Sequence, residues 1–160
     1  MAATGRVDEA KAQLIELENL AASVAAEGDA GLDRLKHVLA VATPNVRARI
    51  ALAEGNADKA INLLREAVAK EDQLAYSEPA HWFFPTRHVL GAVLIKAGRA
   101  SEAETIYRDD LTRHPNNGWA LYGLTQSLRI PGRLGEALVA QDQFDRAWKY
   151  ADVVLTASAF

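Results

Sequence analysis

The sequence predicts an all-α fold built from antiparallel helix pairs, and two observations support this prediction. Helix-forming residues dominate the 160-residue chain, while the apolar–polar alternation typical of a half-buried strand is scarce. Four short segments also share one pattern, a glycine five residues before an alanine: GRVDEA (5–10), GNADKA (55–60), GRASEA (98–103) and GRLGEA (132–137). We interpret residues 1–160 as a single helical-repeat domain.

Each of these segments is typical of a tight turn between two helices. Gly5, Gly55, Gly98 and Gly132 suit the left-handed backbone conformation that follows a helix end. The alanine five residues later falls on the inner face of the next helix, where a small side chain lets a neighbouring helix approach closely. We therefore expect the chain to fold back on itself at all four glycines.

The predicted helices follow in order between these turns. They are 6–26, 32–41, 44–54, 57–71, 86–97, 100–113, 117–129 and 134–150, with a further turn at 27–31. Thr43 and Pro44 indicate a cap and a first-turn proline, so a break is expected between the second and third helices. The first helix begins at a turn, which leaves its inner face without a partner; the chain would then be a fragment of a longer protein, or this helix would pair with a partner molecule. Residues 151–160 are expected to cover the exposed end of the last helix.

Residues 72–85 interrupt the helical pattern. The two prolines in this segment, and the residues before them, disfavour helix. Four aromatic residues make the segment unlike a solvated linker: Tyr76, Trp82, Phe83 and Phe84. We predict a non-helical insertion that packs on the neighbouring helices.

The spacing of small and aromatic residues in 84–150 resembles the tetratricopeptide repeat (TPR) family. The matching positions are Leu90, Gly91, Leu94, Ala103, Tyr107, Pro115, Trp119 and Gly123. Gly98 and Gly132 are 34 residues apart, which equals the usual period of this family, whereas the earlier spacings of 50 and 43 residues indicate insertions. The runs YSEPAHWFFPTRHVLGAVL and HPNNGWALYGL are also similar to the C-terminal end of larger bacterial TPR proteins.

The resemblance implies a right-handed superhelix of helix pairs, an α–α solenoid, whose concave face binds a protein or peptide. That face would be lined by the helices 44–54, 86–97 and 117–129. The candidate contact residues are Tyr76, Glu78, His81 and Trp82 in the insertion, Arg87 and His88 on the following helix, and Asn116, Asn117 and Gln126 on the last pair. The carboxylate clamp of chaperone-binding TPR domains is not expected, because alanine or leucine occupies the positions of its asparagines.

One alternative for 76–88 is a metal or small-ligand site that belongs to a larger parent protein. Glu78, His81 and His88 could ligate a metal, since carboxylate and imidazole groups suit zinc and similar ions. Their spacing matches no recognised ligand motif, so we expect neither a metal nor a cofactor.

Two other interpretations of this segment remain open. Tyr76, His81 and Trp82 would line a pocket for a peptide. The interpretation that we favour is that the aromatic residues at 82–84 fill the gap between neighbouring helix pairs.

Composition and motifs exclude several classes of function. The formal net charge of −3 gives no basic excess for nucleic acid or an anionic membrane surface. The chain has no cysteine, no signal-peptide pattern and no membrane-length apolar run, which indicates a cytoplasmic protein. It also lacks the GxSxG, HExxH and phosphate-loop motifs, so we predict a non-catalytic binding scaffold rather than an enzyme. The alternative is a helical module that self-associates as a homodimer.

Overall fold

Residues 5–26 and 33–159 are described by the computed structural model, and every regular element in these two ranges is an α-helix. The helices are α1 (Val7–Ala26), α2 (Asp33–Ala53), α3 (Ala57–Glu71), α4 (Thr86–Lys96), α5 (Ala100–Arg113), α6 (Gly118–Arg129) and α7 (Leu134–Ala147). The all-α prediction is confirmed for these residues, while the predicted turn at 27–31 lies outside them. The chain divides into two compact units, Met1–Thr86 and Arg87–Phe160. None of the described helices combines the length and the apolar character that crossing a membrane requires.

The predicted glycine turns adopt left-handed backbone. Gly5, Gly55, Gly98 and Gly132 have φ values of +79°, +78°, +75° and +76°. At the last three, the glycine N–H donates to the carbonyl three residues earlier, and the next N–H donates to the carbonyl five residues earlier, at 2.8–3.1 Å. This pattern is the Schellman motif, which ends a helix and satisfies its last carbonyl groups. The same local geometry therefore reverses the chain three times.

In the first unit, α2 is the central helix because it packs against both α1 and α3. It continues through Pro44 to Ala53, so the break predicted at Thr43 and Pro44 is wrong. Pro44 has no N–H, but side chains on both sides of it donate to helix carbonyls: Thr43 Oγ1 to Leu39 O and Asn45 Nδ2 to Val41 O, both at 3.0 Å. The burial of Pro44 and Asn45 offsets the cost of about 3 kcal/mol for a proline inside a helix.

α1 has a partner within its own unit. Ala10 and Val24 are each 6% exposed against α2, and Lys11 Nζ lies 2.6 Å from Glu54 Oε1. The expectation that the inner face of this helix lacks a partner is therefore wrong. Its opposite side exposes an apolar residue, Ile15.

The insertion 72–85 contains no helix, as predicted, and is closed at its base. The Thr86 N–H donates to Glu71 Oε2 at 2.9 Å, which joins the last residue of α3 to the first residue of α4. Asn45 Nδ2 donates to Thr86 Oγ1 at 3.2 Å, and Thr86 is fully buried. The two ends of the insertion are therefore held next to each other by this hydrogen bond between Glu71 and Thr86.

In the second unit, α6 packs against both α5 and α7. The end of α7 is fixed by aromatic contacts, because Trp148 stacks on Phe144 at 5.8 Å and meets Trp119 edge-on at 5.7 Å. Gly118 lies directly against the Trp148 ring. α7 ends at Ala147, three residues before the predicted end at 150.

Candidate functional site

The candidate site is a cleft between α4 and α6, which we call the α4–α6 cleft. Its volume is about 270 Å³. It is lined by Ala92, Ile95 and Lys96 from α4, by Tyr122, Gly123, Gln126 and Ile130 from α6 and its end, and by residues 156–158. Apolar atoms form most of the lining, and Lys96 and Gln126 supply polar groups at its edge. Such a surface is suited to apolar groups rather than to a highly charged ligand.

Tyr107 of α5 packs directly against Gly123 and is hydrogen-bonded to Ser158, which both line this cleft. Its side chain is fully buried, and its ring passes between Gly91 of α4 and Gly123 of α6. A Cβ atom would lie 2.3 Å from the ring Cζ if placed at Gly91 and 2.2 Å if placed at Gly123. Because no side chain fits at those distances, the two glycines are what allow the phenol to reach the cleft between the helices.

The Tyr107 hydroxyl meets the segment that follows α7. Its oxygen lies 2.5 Å from Ser158 Oγ, and Ser158 Oγ in turn donates to the His88 backbone carbonyl at 3.3 Å. Since the single Ser158 hydroxyl proton serves that carbonyl, the Tyr107 O–H is the donor to Ser158. Burial raises the pKa of Tyr107 to about 12, against the opposing effect of the Ser158 hydrogen bond. The phenol is therefore protonated near neutral pH and can donate.

Residues 151–159, which we call the strap, run from the end of α7 to this cleft. Trp148 Nε1 donates to Val153 O at 2.7 Å, and the side chains of Leu155 and Ser158 are 8% and 3% exposed. The sequence predicts that this segment covers the end of the last helix. The strap does contact Trp148, the residue that caps α7, but it also continues to the α4–α6 cleft, which the sequence does not predict. One face of α7 carries exposed apolar side chains; Leu138, for example, is 68% exposed.

The candidate contact residues of the second unit lie in different environments. Gln126 lines the cleft as expected, and Asn116 is exposed in a left-handed conformation (φ +65°) just before α6. Asn117 caps α6, where its Oδ1 accepts from the Trp119 N–H at 3.1 Å. Arg87 and His88 are 8% and 3% exposed, so the structure buries both instead of presenting them on the inner face.

His88 belongs to a buried polar network. Its Nε2 lies 3.2 Å from Asp110 Oδ2, and Asn117 Nδ2 donates to the same carboxylate oxygen at 3.0 Å. Because the carboxylate accepts only, we assign a proton to His88 Nε2, which donates to Asp110. His114 Nδ1 approaches the other oxygen at 3.4 Å from the end of α5. The network therefore ties α4, α5 and the start of α6 together.

The ionisation of Asp110 depends on these neighbours. Burial alone raises the pKa of this carboxyl group, but the hydrogen bond and positive charge of His88, with contributions from His114, outweigh it. The pKa of Asp110 is therefore held below its ordinary value. A His–Asp pair that is 3% and 1% exposed stabilises the fold and has no access to a substrate.

The insertion in the first unit has a cleft of its own. Its volume is about 330 Å³, and it is lined by His37, Gln73, Leu74, Ala75, Tyr76, Ser77 and His81. Tyr76 is 87% exposed, and its hydroxyl donates to Glu78. The structure thus brings the candidate residues Tyr76 and His81 to one cleft and pairs Glu78 with Tyr76.

The aromatic residues of the insertion are only partly packed. Trp82 and Phe84 are half-buried, but Phe83 is 86% exposed, so the prediction that all three fill a gap between helices is wrong for Phe83. Within residues 5–26 and 33–159, no three His, Cys, Asp or Glu side chains lie close enough together to hold a metal ion. The proposed ligand set of Glu78, His81 and His88 is therefore not assembled.

A third cleft, of about 530 Å³, lies beside α1 in the first unit. Its charged lining is largely neutralised, since Lys11 pairs with Glu54 at 2.6 Å and Arg47 pairs with Glu18 at 2.7 Å. It offers no concentrated charge for an ionic ligand. The α4–α6 cleft is the site best defined by side-chain geometry.

Comparison with known proteins adds no relative: no family model, curated protein or solved structure matches the chain. Residue spacing alone indicates Gln126 but misses Lys96, Tyr122 and Ser158, which also line the cleft. A signal for the cleft is nevertheless present in the sequence. Gly91 and Gly123 occupy the middle of two helices, where glycine is unfavourable unless a neighbouring group needs the space.

Proposed function

We propose that this chain is a non-catalytic scaffold that binds a protein or peptide segment in the α4–α6 cleft. One observation carries the proposal: a non-helical stretch of chain, residues 156–158, already lies along this face, and open volume remains beside it. The face therefore accepts a short segment of backbone without a charged anchor. A peptide with small and apolar side chains suits this surface, because most of the cleft is apolar.

We further propose that the helix pairs form a TPR-like solenoid. Three Schellman turns with the same hydrogen bonds support this proposal, since a repeat architecture needs the same reversal at each pair. The glycines that admit Tyr107 fall at the small-residue positions of the family resemblance. In this architecture the first helix of each pair lines the concave face, and α4 and α6 hold that place in the second unit.

A binding role rather than catalysis agrees with the chemistry of the cleft. Its lining contributes one lysine, one glutamine and one tyrosine among small and aliphatic residues. The most reactive combination in the second unit, His88 with Asp110, is buried in the helix framework. The chain has no cysteine, which is compatible with a reducing compartment. We therefore propose an intracellular adaptor.

The test is selection of peptides from a random displayed library on the purified chain. Peptides that bind the α4–α6 cleft should lose binding in Ala92→Arg, because Ala92 lines the cleft and a long charged side chain would fill it. Ala97→Arg is the matched control, since Ala97 is exposed just beyond the end of α4. Binding that is equal in the two variants, or no enrichment at all, would contradict the proposal.

Self-association is a second candidate, and the apolar face of α7 is the observation that favours it. Leu134, Leu138 and Val139 are 63%, 68% and 62% exposed. Apolar side chains grouped on one helix favour a contact with a second copy. Sedimentation equilibrium of the wild type and of Leu138→Lys tests this: a homodimer through α7 should dissociate in the variant, and a wild type that stays monomeric at high concentration excludes it.

A further inference from the structure

The strap reaches the α4–α6 cleft through few contacts. Its anchors are the two hydrogen bonds of Ser158, the burial of Leu155 and the hydrogen bond from Trp148 Nε1 to Val153 O. The Ala151 N–H donates to Trp148 O at 3.0 Å, and for the described residues beyond it no backbone–backbone hydrogen bond joins the strap to a helix. Val153 and Val154 are 54% and 87% exposed. The strap is therefore held by a small number of contacts, and the contacts with the cleft are those of Ser158 and its neighbours.

The position of Ser158 has a specific chemical requirement. The Tyr107 O–H presents a donor to this position, and the His88 carbonyl presents an acceptor. A hydroxyl side chain satisfies both groups at once, because it accepts one hydrogen bond and donates another. A carboxylate or a phosphate would place negative charge against the carbonyl oxygen, and because Ser158 is only 3% exposed, water would solvate that charge poorly.

We propose that the α4–α6 cleft recognises a peptide bearing an unmodified serine between small residues, and that the strap is its intramolecular competitor. This inference rests on the peptide-binding function proposed above. A partner peptide would place its serine hydroxyl between Tyr107 and His88 after the strap has left. The apparent affinity for the partner is then lowered by the fraction of molecules in which the strap occupies the cleft.

The experiment measures binding of a fluorescent synthetic peptide, VVLTASA, that copies residues 153–159. Ser158→Asp in the full-length chain puts a charge into the hydroxyl position and releases the strap. If the strap covers the cleft in about nine-tenths of wild-type molecules, the apparent Kd of the peptide should be about tenfold lower for this variant than for the wild type. Val154→Asp is the matched control, because Val154 is 87% exposed and does not line the cleft, so the same charge there should leave Ser158 in place.

Two further changes test the recognition itself. A peptide with aspartate in place of its serine should not bind any variant. In the Ser158→Asp background, Tyr107→Phe keeps the ring between the glycines but removes the donor, which should weaken peptide binding by roughly two- to tenfold. Leu155→Asp provides a second way to release the strap, and circular dichroism confirms that each variant retains its helices.

The outcomes separate this inference from the function on which it rests. Equal peptide affinity in the wild type and both release variants would overturn the competitor role and leave peptide binding in place. Library peptides that bind in an Ala92-dependent way, combined with no binding of the serine peptide, would overturn the stated recognition alone. If neither kind of peptide binds, both the inference and the proposed function are refuted.

Discussion

Gly123→Ala should destabilise the second unit although alanine favours helix. The added Cβ would lie 2.2 Å, 2.3 Å and 2.7 Å from three atoms of the Tyr107 ring. The ring cannot move aside, because Gly91 lies against it as well and the side chain is fully buried. Overpacking of this kind costs up to about 3 kcal/mol, and alanine regains about 1 kcal/mol of helix propensity. The expected net loss is about 2 kcal/mol.

Thermal denaturation followed by circular dichroism measures this loss. For a chain of this size, a change of about 2 kcal/mol corresponds to a fall in Tm of roughly 4–8 °C. Gly135→Ala is the matched control, since a Cβ at this α7 position meets no atom within 4 Å; it should leave Tm unchanged or raise it. Replacing Tyr107 by leucine should remove most of the penalty of Gly123→Ala in the double variant. A Gly123→Ala variant as stable as Gly135→Ala would refute the packing described for Tyr107.

Three other predictions concern the helix framework. Asp110→Asn should lower the free energy of unfolding by about 2–3 kcal/mol, because a neutral amide loses the charge-assisted hydrogen bonds that the carboxylate accepts from His88 and Asn117. Asp109→Asn, at an exposed neighbouring position, should change it by less than about 0.5 kcal/mol. Urea titration of both variants measures the difference, and equal values would contradict the prediction. The depressed pKa of Asp110 contributes stability above its unfolded pKa of about 3.9, and this stability is lost as the pH falls through the folded value. Below about pH 4 the free energy of unfolding should therefore fall with pH, and the slope should be smaller in Asp110→Asn. An identical slope in an acid titration of both chains would count against the network. Gly98→Ala should lower the free energy of unfolding by about 1–2 kcal/mol through backbone strain alone, since φ is +75° and the Cβ position is open. A thermal denaturation curve that matches the wild type would show that the turn is not left-handed.

The turns could be predicted from sequence because their cause is local. A glycine after a helical stretch indicates a left-handed residue, and Gly55, Gly98 and Gly132 all adopt it. The continuous α2 could not be predicted, since Pro44 and Asn45 are buried within the first unit and that burial offsets the cost of a proline inside a helix. That compensation belongs to tertiary structure, which a local rule for proline does not include.

The candidate site was predicted only in part, again because of long-range contacts. The sequence pattern indicates Gln126 as a contact residue, and Gln126 lines the α4–α6 cleft. The sequence pattern also indicates His88 as a contact residue. His88 is buried instead, because it hydrogen-bonds to Asp110, which lies 22 residues later in the sequence. The position of Ser158 depends on the Tyr107 hydroxyl, 51 residues earlier, so no local pattern around the strap indicates where it binds.

The contact between Tyr107 and Ser158 supports both the packing of the second unit and the proposed recognition of a serine peptide. A nuclear Overhauser experiment on the isotope-labelled chain observes it directly. We predict a cross-peak between the Tyr107 ring protons and the Ser158 β protons in the wild type, and its loss in Ser158→Asp when the strap is released. A folded wild-type chain that shows no such cross-peak would contradict the account.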